Sequence, residues 1–319
     1  VNIEQASQAL QQVAREVGRV LIGQDELIEQ VLIGLLARGH VLLEGVPGLG
    51  KTLLVKALGQ TLGLTFRRIQ FTPDLMPSDV TGSSVYNAKV SEFNFVPGPI
   101  FAQLVLADEV NRAPAKTQSS LLEAMQDRSV SSDGVTRSLP DPFLVIATQN
   151  PVESQGTYPL PEAQLDRFLL KLEIGYPGKA AELSLLKNYV AGFDSNKLEG
   201  FAQLLSQQHV LAMQAAVTQV SVTDEILDYI TSIVDKSRSH PAVALGASPR
   251  ASIGLLAVSR AQALLRGRGF VVPDDVKSHA HGVLRHRLVL QPDAELEGTS
   301  PDACIDAILR EVPVPKTAA

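Results

Sequence analysis

The stretch Gly45-Val46-Pro47-Gly48-Leu49-Gly50-Lys51-Thr52, GVPGLGKT, decides the fold. It follows the apolar run Val41, Leu42, Leu43 and precedes a helix-favouring segment from Leu53 to Leu62, the strand, loop and helix order that a phosphate-binding loop requires. Each fixed position has a chemical reason. Gly45, Gly48 and Gly50 let backbone N–H groups turn onto phosphate oxygens, Lys51 carries a point charge to the β and γ phosphates, and the Thr52 hydroxyl reaches Mg²⁺. A plain glycine-rich turn needs no Lys-Thr pair. The whole segment, with Val46, Pro47, Leu49 and Leu53, is therefore the candidate nucleotide contact.

Composition sets the frame around this loop. A chain of 319 residues exceeds the usual span of a single core, so a division into two bodies is expected. Apolar residues at 45% supply a sizeable core, and charged residues at 19% argue against extended disorder. Cys304 is the one cysteine, which excludes an intrachain disulfide framework and fits a reducing compartment. The net charge of -6, without a long Lys/Arg block, weighs against a broad nucleic-acid surface. No apolar run approaches the ~20 residues of a membrane span, and the N-terminus lacks the order of a secretory signal. A cytoplasmic location is expected.

Up to about residue 175, short apolar runs alternate with helical patterns, as in βαβ units around a parallel sheet. The expected strands are Val41 to Leu43, Thr65 to Gln70, Leu104 to Ala107, Phe143 to Thr148 and Leu169 to Glu173. Two hairpins interrupt them: Ser83 to Tyr86 with Phe93 to Val96, and a pair flanking Asp133-Gly134, the dipeptide of a type I′ turn. Beyond Gly175-Tyr176-Pro177-Gly178 the pattern turns helical. Ile226, Ile230, Ile233 and Val234 mark one face, Ile253, Leu256, Ala257 and Leu264 a second, and Val276, Ala280 and Val283 a third. The expected architecture is α/β: a P-loop αβα domain over residues 1–178 with two hairpin inserts, then an all-helical lid over 179–319, the boundary free to shift by about a dozen residues. The tail from Pro313 to Ala319 reads as disordered.

Leu104 to Ala107 is an apolar strand that ends in Asp108 and Glu109. If it neighbours the strand before the P-loop, Asp108 is placed to hold Mg²⁺ and Glu109 to polarise the attacking water. Alone, an apolar run before Asp-Glu is an ordinary strand end. After a P-loop it reads as a Walker B motif.

Together with later motifs, this makes the chain resemble the AAA+ ATPases, and among them the MoxR family. The matching segments are LIGQ (Leu21 to Gln24), GVPGLGKT, DEVNRAPAKTQSSLLEAMQ (Asp108 to Gln126), ATQNP (Ala147 to Pro151), GTYPLPEAQLDRF (Gly156 to Phe168) and GASPRA (Gly246 to Ala251). The hairpins look like the helix-2 and pre-sensor-1 inserts of this branch. The resemblance implies that Ile22, Gly23 and Gln24 lie near the adenine, that Asn150 is sensor 1, that Arg167 is an arginine finger for a neighbouring subunit, and that Arg250 is sensor 2. It also implies a hexameric ring that uses ATP and Mg²⁺ to remodel protein clients, some with von Willebrand factor A domains. Taken without the resemblance, Asn150 before Pro151 fits a turn, Arg167 a solvated ion-pair partner and Arg250 a helix-surface charge. Arg112, in NRAP, competes with Arg167 for the finger role. His279, His281 and His286 cluster without the spacing of ligands on one helical face. A DNA-directed motor and a nucleotide-gated module with little turnover remain rival readings at this stage.

Overall fold

The computed structural model describes residues 2–46, 48–89, 91–150, 156–192 and 201–315. The chain opens with helices α1 (Ile3–Gly18) and α2 (Asp25–Leu36), then strand β1 (Val41–Glu44) and helix α3 (Lys51–Leu62), which begins at the P-loop lysine. There follow β2 (Phe66–Gln70), the short α4 (Pro77–Thr81), the hairpin β3 (Gly82–Asn87) with β4 (Glu92–Pro97), and β5 (Leu104–Asp108). Next come α5 (Ala115–Asp127), the hairpin β6 (Ser129–Ser132) with β7 (Val135–Ser138), β8 (Leu144–Gln149), α6 (Glu162–Leu165) and β9 (Leu170–Glu173). The remainder is α7 (Lys179–Val190), α8 (Gln207–Gln219), α9 (Asp224–Ser239), β10 (Val243–Leu245), α10 (Pro249–Leu265), α11 (Pro273–Leu284), β11 (Val289–Leu290), α12 (Pro292–Leu296) and α13 (Pro301–Glu311).

Five strands form one parallel sheet in the order β2-β5-β8-β1-β9. Burial on both faces explains why β1, β5 and β8 read as near-continuous apolar runs. The faces still separate by residue parity: Val41, Leu43, Leu104, Leu106, Leu144 and Ile146 join one cluster, and Leu42, Val105, Ala107, Val145 and Ala147 the other. The first cluster continues through α1, α2 and α3 into α8, α9, α10, α11 and α13 with no break at residue 178. The second packs the sheet on α5 through Leu121, Leu122 and Met125.

Both hairpins form, and they lean on each other. The Ser84 hydroxyl donates to Asp133 at the tip of the second hairpin, and the Arg137 guanidinium lies 3.9 Å from the Phe95 ring centroid. Asp133 and Gly134 adopt φ of 54° and 74°, as a type I′ turn demands.

Three sequence expectations change. The strand ending in Asp108 is not a neighbour of the P-loop strand, because β8 lies between β5 and β1. The face of α10 that enters the core is Ala251, Leu255, Val258 and Leu264, while Ile253 is 68% exposed. This helix is apolar on more than one side, so its tertiary position rather than its period selects the buried stripe. The lid is not all helical either, since β10 pairs antiparallel with β11; strands of three and two residues are too short to announce themselves by alternation. The faces expected on α9 and α11 are buried as read. Of the tail, residues 316–319 lie outside the described residues.

His40, just before β1, ties three elements together. Its Nδ1 accepts the Val145 N–H at 3.0 Å, which puts the ring proton on Nε2, 3.1 Å from the Met125 carbonyl oxygen. Full burial pushes its pKa down to about 4, and burial does the same for His279 and drives His286 well below its usual value. All three are held neutral in the fold and bind protons more readily when unfolded. Their contribution is fully present above pH ~6.5 and is lost as pH falls toward 4, with a slope of about 1.4 kcal/mol per pH unit for each proton taken up. His40→Gln, which keeps one donor and one acceptor, should remove one proton from that slope in urea unfolding measured between pH 4 and 6.5. An unchanged slope would show that His40 is already charged in the fold.

Candidate active site

The C-terminal ends of the strands define the site. Register places Glu44 level with Gln149, Ala107 level with Ala147 and Gln70 level with Asp108, so β1, β8, β5 and β2 end side by side. In open α/β sheets this end is where ligands bind. A cleft of about 610 Å³ lies there, lined by the loop residues Gly48 to Leu53, by Asp108, Glu109 and Asn150, and by Ile22 and Gln24.

The loop turns as its glycines require. Gly48 and Gly50 take φ of +86° and +79°, and a Cβ on Gly50 would stand 2.7 Å from Leu21 Cδ1. Lys51 starts α3 and turns back to donate to the Gly45 carbonyl oxygen. Burial lowers its pKa, against the attraction of Asp108, Glu109 and Glu44. Thr52 stands at the exposed N-terminal turn of α3, where backbone N–H groups and helix dipole favour an anion. Pro47 lies outside the described residues.

The paired carboxylates are held by residues that sequence reasoning missed. The Thr148 hydroxyl donates to Asp108 Oδ1 at 2.6 Å and accepts the Glu109 N–H at 2.8 Å. Thus the interposed strand β8 holds the Asp108 carboxylate and the Glu109 backbone through Thr148, two residues before Asn150. Glu109 itself sits at φ 57°, ψ 50°, a left-handed conformation that side chains rarely adopt and that concentrates at functional sites. Its Oε2 accepts from Gln70 Nε2 at 2.7 Å and Arg112 Nη1 at 3.0 Å. Arg68 donates to Asp108 Oδ2 from Nε at 3.1 Å and from Nη2 at 2.6 Å. The signal for Arg68 and Gln70 lay in FRRIQ, where charged and amide side chains recur on a strand of a parallel sheet, a place usually apolar.

Other expected site residues fall elsewhere. Gly23 does not line the cleft, and a Cβ there would stand 2.6 Å from the Ala181 Cβ of α7; Gly45 and Val46 follow β1 and lead into the loop. Pro177 and Leu185 join Ile22 along the cleft wall, an apolar surface suited to a flat base. Arg250 lies outside the cleft with Asp166, its Nη1 at 3.5 Å from Oδ2. Arg167 is also outside, half-buried, and its guanidinium has no partner among the described residues. Asp166 beside it anchors the lid: Arg287 Nε reaches Oδ1 at 2.7 Å and the Ser248 hydroxyl reaches Oδ2 at 3.2 Å.

A P-loop after β1, an acidic pair at the end of a separate strand, an amide just past the strand between them and a helical lid define an ATPase of the AAA class. A family model described as "ATPase family associated with various cellular activities (AAA)" matches residues 40–170, and an "AAA lid domain" model matches residues 235–308. YeaC of Bacillus subtilis (strain 168) is 50% identical over 299 residues, covering 94% of this chain and 92% of its own. Chaperone MoxR1 of Mycobacterium tuberculosis is 47% identical over 310 residues, 94% of this chain and 81% of its own. A crystal structure of a protein from Cytophaga hutchinsonii ATCC 33406 superposes with a TM-score of 0.90 at 41% identity, over 99% of this chain and 97% of the other. The chain belongs to the MoxR family of AAA+ ATPases. It binds nucleotide and is an ATPase.

Proposed function

We propose that this chain hydrolyses ATP with Mg²⁺ as one member of a hexameric ring and uses the hydrolysis to remodel partner proteins. The observation that carries the reading is the convergence of Lys51, Thr52, Asp108, Glu109 and Asn150 on one cleft at the ends of three strands. The donors present are hard oxygens, the Thr52 hydroxyl and the Asp108 carboxylate, which suit Mg²⁺ rather than a softer metal. Bound there, the ion would neutralise charge between the β and γ phosphates. Lys51 leaves the Gly45 carbonyl for the phosphates, whose charge favours its protonated form. Glu109, once released by Gln70 and Arg112, takes a proton from the attacking water. Asn150 orients that water and the terminal phosphate, since an amide donates and accepts at once.

Loss of the γ-phosphate then changes what the lid, residues 179–319, and the neighbouring copy can hold. A protein client is supported by the chaperone name of the Mycobacterium relative and by the hairpins, where Tyr86 and Phe93 are 53% and 72% exposed. The MoxR resemblance extends this to clients with von Willebrand factor A domains. The acidic balance of -6 and the apolar rather than basic hairpin face weigh against DNA.

Glu109→Gln keeps size and hydrogen bonding but cannot accept the proton. It is expected to retain an ATP-dependent stabilisation of about 2.7 kcal/mol at 100 times Kd, while phosphate release falls by about 10² or more. Near-normal turnover would transfer the base role to another residue.

A further inference from the structure

The Asp108 carboxylate, read above as the metal ligand, has both oxygens engaged by protein donors: Oδ1 by the Thr148 hydroxyl at 2.6 Å and Oδ2 by Arg68 at 3.1 and 2.6 Å. Arg68 reaches it from the edge strand β2, whose Gln70 is level with Asp108. Arg68 and Gln70 point the same way by strand alternation, and both line the nucleotide cleft. A guanidinium and a divalent cation cannot share that oxygen, because both need its lone pairs and their charges repel.

We propose that Arg68 is a built-in stand-in for the metal: in the nucleotide-free site it neutralises Asp108, and it yields that carboxylate when a divalent cation binds. The contact has a second consequence. Arg68 Nη2 also donates to Gln70 Oε1, and Gln70 Nε2 holds Glu109 Oε2 at 2.7 Å. Withdrawal of Arg68 removes one of the two bonds that orient the Gln70 amide. Arrival of the metal thereby loosens the group that restrains the water-activating carboxylate, and a site with nucleotide but no metal keeps Glu109 tethered. The displaced guanidinium remains in the cleft, where the terminal phosphate is the replacement anion.

The proposal rests on the reading of Asp108 as the metal carboxylate, and the test separates the two. Mn²⁺ is titrated into nucleotide-free protein and the free ion is counted by electron paramagnetic resonance. Arg68 is 45% exposed, so Arg68→Gln should fold, which circular dichroism checks, and solvent screening keeps the expected gain modest. Arg68→Gln should bind Mn²⁺ about three- to tenfold tighter than the wild type, and the gain should vanish in Arg68→Gln/Asp108→Asn. Arg112→Gln, which removes a cation bonded to Glu109 rather than Asp108, should give a smaller gain. Equal affinity in Arg68→Gln and wild type overturns the proposal, as does an equal gain from Arg112→Gln or a gain that survives Asp108→Asn. Independently, Asp108→Asn loaded with a non-hydrolysable ATP analogue should bind Mn²⁺ more weakly than wild type so loaded; unchanged affinity there overturns the metal-ligand reading itself.

Discussion

Arg167→Ala is expected to bind ATP normally and to hydrolyse it about 10³-fold or more slowly, the cost typical of a lost arginine finger. The geometry that motivates this is a fixed backbone bearing a free side chain. Asp166 is bonded to Arg287 and Ser248, and the Phe168 carbonyl accepts from His286 at 2.9 Å and from Arg287 at 2.7 Å. Between these anchors Arg167 has no partner among the described residues and does not line its own cleft, so the proposed finger role calls for the phosphates of another copy. Arg112 is committed at 3.0 Å to its own Glu109. A finger acting across an interface makes a further demand. Mixed under subunit exchange with Lys51→Ala chains, which keep the finger but lack the P-loop cation, Arg167→Ala chains should regain activity at interfaces joining an intact loop to an intact finger. Mixed rings that stay inactive would remove Arg167 from the role, and the same titration with Arg112→Ala would decide whether NRAP supplies it.

What could be read from the sequence was whatever is encoded within a few consecutive residues. The P-loop needs glycines, lysine and threonine at fixed spacing, and the strand before Asp108 needs an unbroken apolar run; both are local demands and both are met where expected. The Asp-Gly turn of the second hairpin is equally local. Strand order is not local, so nothing in Leu104 to Asp108 says that β8 is inserted between β5 and β1. That insertion is what makes Thr148 the bridge between the Asp108 carboxylate and the Glu109 backbone N–H, and a threonine at a strand end carries no mark of such a duty in sequence. Arg68 and Gln70 did carry a mark, polar side chains on a sheet strand, but the carboxylates they hold lie 40 and 39 positions away. Arg250 shows the opposite limit: the GASPRA motif selects the residue, while its contact with Asp166 depends on how the lid sits on the base.

Arg287 is the case where a residue outside every motif carries the larger structural burden, and its loss is the largest stability change expected. Its side chain is 4% exposed, and burial lowers its pKa against the opposing pull of Asp166. Its donors are consumed: Nε by Asp166 Oδ1, Nη1 by the carbonyls of Leu169 and Val283, and Nη2 by those of Asp166 and Phe168. One guanidinium therefore joins the end of the lid helix α11 to the turn between α6 and β9, on which Arg167 is mounted. Arg287→Ala removes a donor from each of these carbonyl oxygens, of which that of Phe168 keeps His286, and leaves a largely buried carboxylate with only Ser248 and a distant Arg250. Breaking a buried ion pair from one side costs about 3–5 kcal/mol, far above the figure for an exposed pair. Arg287→Lys retains the charge but has three donors on one nitrogen, which cannot span carbonyls on two elements, so it should recover only part of the loss. Urea unfolding reads both variants, with Arg285→Ala as a neighbour whose pairing to Asp302 is less enclosed. A loss under about 1 kcal/mol in Arg287→Ala would place the residue among ordinary surface pairs and detach the lid from the turn that carries Arg167.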